Sequence, residues 1–153
     1  MNQHHLAFIA ASLSLLTLTA CHEQSTPTAQ EPAAPTPSSP QCYAYRTATD
    51  TVRLTLQTTQ PTVTGQLSYR YFEKDRNQGT IRGTMHGDTL LADYTFQSEG
   101  RQSVREVAFL RRDIGFVEGF GPIAEREGKT VFERPRALQF DAKYTLLPVA
   151  CPR

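Results

Sequence analysis

From residue 52 onward, apolar side chains return at every second position, in one short run after another. Val52, Leu54 and Leu56 alternate with Arg53, Thr55 and Gln57, and Val63, Gly65, Leu67, Tyr69 and Tyr71 alternate with Thr64, Gln66, Ser68, Arg70 and Phe72. Ile81, Gly83 and Met85 share a face, as do Leu90, Ala92, Tyr94 and Phe96. Only an extended chain sends successive side chains to opposite sides, so each run reads as a strand with one dry face. Polar turns separate the runs at residues 73–78, His86-Gly87-Asp88, Glu99-Gly100-Arg101, residues 113–115 and Glu127-Gly128-Lys129. Further strands are expected over residues 104–111, 116–120, 130–132 and 144–149. Helical periodicity is nearly absent. Residues 123–128 suit one short helical turn, and Arg134-Pro135-Arg136 breaks whatever precedes it. Short connections make sequence neighbours into sheet neighbours, which predicts an all-β, antiparallel meander of about eight strands. Gly65, Gly83 and Gly119 fall inside strand patterns, where glycine marks a bulge or a sharp barrel bend.

The amino terminus follows different rules. Residues 6–19 (LAFIAASLSLLTLT) form an apolar run too short to cross a bilayer comfortably and of the length of a signal-peptide core. It ends in Leu18-Thr19-Ala20-Cys21, which resembles the lipobox of bacterial lipoproteins. The residue types fit the chemistry: a thiol can take a diacylglyceryl group, and small residues before it admit a signal peptidase. The leading MNQHH carries no Lys or Arg, so its positive charge falls to the amino terminus, His4 and His5. By this resemblance residues 1–20 are a signal peptide and Cys21 is the lipidated first residue of the mature chain. An Asp after the Cys often favours inner-membrane retention in lipoproteins; His22 stands there, so the outer membrane is expected, on its periplasmic face or at the cell surface. Residues 22–41 are Ser, Thr, Ala, Gln and Pro with almost nothing large and apolar, a composition that cannot offset its own ordering entropy. Residues 21–41 are read as lipidated Cys plus disordered tether, with a mean reach of roughly 25 Å. Residues 42–153 are the single folded domain.

With Cys21 assigned to lipid, Cys42 and Cys151 remain, and they flank the domain. In an oxidising compartment an even pair at the two ends reads as a disulfide. Such a bond brings the first and last strands within about 7 Å at their Cα atoms, which makes the sheet a candidate for closure into a lipocalin-like, up-and-down barrel.

The stretch GTIRGTMHGDTLLADYTFQSEGRQSVREVAFL, residues 79–110, resembles an uncharacterised family of small bacterial envelope lipoproteins that share the lipobox, the Pro/Thr-rich spacer and the paired Cys. The likeness covers most of residues 42–151 and implies a small β-barrel, but no activity. The layout is loosely similar to lipocalin-like barrels and to the amino-terminal barrel of copper-response envelope lipoproteins. Their CxxC signature is missing here, so no metal or redox role is implied.

Other chemistries find little footing. Sixteen basic and fifteen acidic residues nearly cancel, giving no reason to expect nucleic acid as partner. His86 is the one neutral-pH acid or base of the domain, and it sits in a turn. Ser68, Ser98 and Ser103 lie in no nucleophile elbow, and no phosphate loop, zinc spacing or calcium loop is present. No catalytic residue, cofactor or metal is therefore expected. Two strands break the apolar-in, polar-out rule. Arg105, Val107 and Phe109 alternate with Val104, Glu106, Ala108 and Leu110, and Phe116, Glu118 and Phe120 alternate with Val117 and Gly119. Either facing buries a charge, and a buried charge needs a partner. Arg105 with Glu118 is the candidate interior ion pair, with Asp93 or Glu99 as substitutes. The expected function is a non-enzymatic, monomeric envelope lipoprotein that meets the membrane through its anchor and binds a small ligand or envelope component. The alternative is a structural or protein-interaction module, such as an inhibitor or assembly factor, with a solid barrel core.

Overall fold

A computed structural model describes residues 38–74, 76–98 and 100–152, so Cys21, the apolar segment and most of the spacer lie outside the described residues. The alternating runs become strands β1 (Gln41–Arg46), β2 (Thr51–Thr59), β3 (Thr62–Arg70), β4 (Asn77–His86), β5 (Thr89–Ser98), β6 (Arg101–Arg112) and β7 (Gly115–Phe120). They follow one another as an antiparallel meander. After an excursion the chain returns as β10 (Gln139–Val149), which pairs with β7 on one side and β1 on the other. The sheet thereby closes into an eight-stranded antiparallel barrel. Closure is stapled by the Cys42–Cys151 disulfide, with Cα atoms 5.2 Å apart across a sequence separation of 109. Cys42 lies opposite Val149, where the first and last barrel strands meet.

Because the strands alternate in direction, the barrel has two distinguishable ends. The lower end gathers the start of β1, the β2–β3, β4–β5 and β6–β7 turns, and the end of β10. The chain enters there, with Ser38 bonded to Thr58 beside the β2–β3 turn. The upper end gathers the end of β1, the β3–β4 and β5–β6 connections, and the end of β7.

Interior side chains sort by height. Leu54, Leu56, Val63, Leu67, Ile81, Leu90, Val107, Phe109 and Phe116 are all buried and fill the lower part. Inward-facing Gly65 and Gly83 let the strands curl around this plug: a Cβ on Gly65 would stand 1.9 Å from the Thr55 carbonyl oxygen, and one on Gly83 would stand 2.1 Å from that of Leu91.

Residues 123–128 do not form the helical turn expected of them. They belong to a hairpin of β8 (Ile123–Arg126) and β9 (Lys129–Phe132), turned at Glu127 and Gly128 with φ of 53° and 74°. Four residues hold too few repeats to separate a period of 3.6 from a period of 2. Tertiary pairing decides the outcome: Thr130 of β9 lies beside Arg105 of β6 in parallel register, and the Phe132 N–H donates to Glu106 Oε2 at 2.9 Å. Lys129 closes the contact through a salt bridge to Asp93. Past a short 3-10 turn at Pro135–Ala137, the Phe140 ring lies against Gly119, where a Cβ would meet it at 2.6 Å. The excursion thus dries the outer wall at Ala108 and Val117.

Candidate functional site: the upper mouth of the barrel

The upper interior departs from the apolar plug. Tyr69 (β3), Tyr94 and Phe96 (β5), Arg105 (β6) and Glu118 (β7) project inward at neighbouring heights, because Tyr94 stands directly opposite Arg105 and the others share their strands' inner faces. Glu118 is 8% exposed, the one buried charged or polar residue among those described. Its Oε1 accepts a hydrogen bond from the Tyr69 hydroxyl at 2.5 Å, from 49 residues away in the chain.

Arg105 and Glu118 do not form a direct ion pair. The salt bridges among the described residues are Lys129–Asp93 and Lys143–Asp141, and Tyr69 contacts both interior charges, Glu118 through its hydroxyl and Arg105 through its ring. The Arg105 guanidinium carbon lies 5.1 Å from the Tyr69 ring centre, 5.5 Å from that of Tyr94 and 5.7 Å from that of Phe96. Three ring faces therefore cradle the cation, an arrangement that attracts through the ring quadrupoles. Arg105 Nε and the Tyr94 hydroxyl are buried with no hydrogen-bond partner among the described residues. Asp93 faces outward to Lys129, and Glu99 lies outside the described residues.

These surroundings move the titrations. Burial raises the Glu118 carboxyl above its ordinary value, while the Tyr69 hydrogen bond and the Arg105 charge pull the other way. Burial also raises Tyr69, and the Glu118 charge adds to it. Tyr71 and Tyr94 are pushed up to about 12, mainly by burial. All three phenols thus stay protonated at neutral pH, Tyr69 with its proton donated to Glu118.

Above this layer opens a cavity of about 450 Å³, lined by Tyr45, Asp50, Val52, Tyr71, Glu118, Phe120, Tyr144 and Leu146. The Tyr45 and Tyr144 rings meet edge to face at 5.7 Å on one wall. Asp50, in the β1–β2 connection, holds the chain that follows β3, its Oδ1 accepting the Phe72 N–H at 2.9 Å. Size and lining fall within the range of small-molecule sites. A second cavity, about 530 Å³, lies on the outer wall between the β4–β5 turn and the excursion, lined by His86, Thr89, Leu91, Pro135, Arg136, Leu138 and Phe140. There His86 Nε2 lies 3.1 Å from the Thr84 hydroxyl, with no carboxylate lining the space. Among the described residues, no group of three or more His, Cys, Asp or Glu could hold a metal ion.

The role of the tyrosines was the part missed by sequence reasoning. Tyr69, Tyr71 and Tyr94 all fall on inward positions of the alternation, and a buried phenol seeks a partner for its hydroxyl, so the signal was present. What the chain could not show was that Tyr69 would reach Glu118.

Fold and site together define a small closed antiparallel barrel with a dry floor, a layer of rings around Arg105 and Glu118 above it, and an aromatic mouth lined by two acids. The chain matches no family model, and no curated protein or solved structure is significantly similar to it.

Proposed function

We propose that this chain is a lipid-anchored envelope lipoprotein, attached to the outer membrane through Cys21, whose barrel binds a small molecule at its upper mouth without transforming it. The observation that carries the reading is the cavity of about 450 Å³ capping a solid core, with a buried carboxylate at its base. Evolution of a merely structural barrel has no evident need for a desolvated Glu118, which costs stability unless something repays its burial. The direction of chain entry suits the same function. Ser38 joins the barrel at the lower end, so the mouth opens away from the point where the tether attaches.

One observation favours a protein partner instead. Tyr71, Phe72, Phe120 and Tyr144 are exposed large apolar side chains around the mouth, and a rim of this kind suits an interface as well as a ligand entrance. Affinity capture of the full lipoprotein, with mass spectrometry of copurifying small molecules and proteins, separates the two. A stoichiometric small molecule lost on Tyr71→Ala supports ligand binding; a stoichiometric protein with no small molecule supports the interaction module. The anchor has its own test. Cys21→Ser abolishes incorporation of labelled fatty acid, and a variant that is still lipidated overturns the lipobox assignment.

A further inference from the structure

We infer that the mouth selects organic cations, with an ammonium group held against Glu118 and Asp50 among aromatic side chains. This rests on reading the mouth as a binding site. The lining supplies four aromatic side chains, Tyr45, Tyr71, Phe120 and Tyr144, and two apolar ones, Val52 and Leu146. Among the described residues its charged members are the two acids and no Lys or Arg lines it; Lys143 Nζ lies 4.7 Å from the Tyr144 ring centre but outside the lining.

Each acid keeps acceptor capacity toward the cavity. Among the hydrogen bonds of the described residues, Glu118 uses Oε1 for Tyr69 and Asp50 uses Oδ1 for the Phe72 N–H, which leaves Oε2 and Oδ2 uncommitted. The nearest interior cation does not fill that role. Arg105 lies beyond Tyr69, with its guanidinium against the Tyr69, Tyr94 and Phe96 rings, and it is not part of the cavity lining. It lowers the cost of ionising Glu118 without occupying the space beside it.

The alternatives fit less well. An anion entering the mouth meets two carboxylates before it can approach Arg105. A neutral ligand strips water from the Glu118 carboxylate and returns no charge to it. An ammonium head meets a counter-ion and the negative faces of aromatic rings together, the combination by which aromatic cages recognise quaternary amines.

Three probes of similar size test the inference on the full chain in detergent micelles: choline, its uncharged carbon isostere dimethylbutanol, and the anion butyrate. Backbone amide signals of Tyr45, Tyr71, Glu118 and Tyr144 report on the site. Choline is expected to shift these signals and to bind at least about tenfold more tightly than dimethylbutanol, a difference of about 1.4 kcal/mol. Glu118→Gln removes that preference, Asp50→Asn reduces it, and acidification through the Glu118 titration weakens choline but not dimethylbutanol. If dimethylbutanol or butyrate shifts the mouth as strongly as choline, the cation inference is overturned while the binding site stands. Silence from all three overturns both.

Discussion

The two halves of the barrel interior obey different rules although the same strands build them. Below, Leu54, Leu67, Ile81, Leu90, Phe109 and Phe116 make a solid apolar plug. Above, two to four residues away along those strands, Tyr69, Tyr94, Arg105 and Glu118 replace hydrocarbon with rings, a cation and an acid. Eight strands enclose a space that side chains can just fill, so the choice between core and cavity falls to the residues at each height rather than to the fold. The lower half fixes the shape, and the upper half is left free to carry chemistry.

The contrast can be broken most forcefully at the seam. Reducing Cys42–Cys151 restores the freedom of a loop spanning 109 residues, and the chain-entropy relation puts the loss of stability at about 4 to 5 kcal/mol. Urea titrations of the oxidised and reduced protein measure it. A shift near zero would show that the plug alone holds the barrel shut.

Cavity formation in the plug comes next. Phe109→Ala is expected to cost about 3 to 5 kcal/mol, because its fully buried ring leaves a hole the closed sheet cannot collapse into. Phe120→Ala, at the exposed rim, is expected to cost well under about 1 kcal/mol. Equal losses in denaturant titrations would erase the distinction between floor and mouth.

Tyr69→Phe probes the upper half directly. It removes the donor to Glu118 while keeping the ring against Arg105, and leaving a buried carboxylate short of a hydrogen bond costs about 1 to 3 kcal/mol at neutral pH. Losing that bond also raises the Glu118 titration further, since the Tyr69 hydroxyl favours the ionised form. The penalty therefore shrinks as the pH falls and Glu118 takes up a proton. A penalty that does not change with pH would remove Glu118 from the explanation.

Glu118→Gln gives the smallest change at fixed pH and the most informative one across pH. In the folded protein the carboxyl titrates above its ordinary value of 4.5, so the folded state holds the proton more tightly than the unfolded state. The stabilisation from that proton is complete below about pH 4.5, and it is lost as the pH rises through the folded-state value. Glu118→Gln flattens this part of the stability profile. Thermal melts at a series of pH values check the sign; a wild-type contribution that grows with pH across that window would reverse the assignment.

How much of this was legible beforehand follows the range of the interactions involved. Leu90, Ala92, Tyr94 and Phe96 announce a strand and its inner face by position alone, and His86-Gly87-Asp88 announces its turn, with Gly87 at a φ of 60°. The Cys pair at the domain ends announces the seam. All of these are local patterns or simple bookkeeping of a single residue type. The Tyr69–Glu118 bond spans 49 residues and depends on the stagger of strands around the barrel, which alternation leaves open. For the same reason alternation suggests a direct Arg105–Glu118 pair, whereas the stagger gives Arg105 the Tyr69 ring and Glu118 the Tyr69 hydroxyl. The β8–β9 hairpin was hidden for another reason. Its strands of four residues each owe their conformation to Glu106 and Asp93 on the barrel wall rather than to their own sequence.

The position of the staple has a mechanical meaning. Cys42 is the second residue of β1, so tension applied to the chain ahead of the barrel meets the contacts of Ser38 with Gln57 and Thr58 and the Gln41 pairing before it reaches a covalent bond to the far end of the domain. A pull from that side cannot peel β1 from its neighbours one hydrogen bond at a time. The load crosses to β10 through sulfur, and the whole barrel bears it as one body.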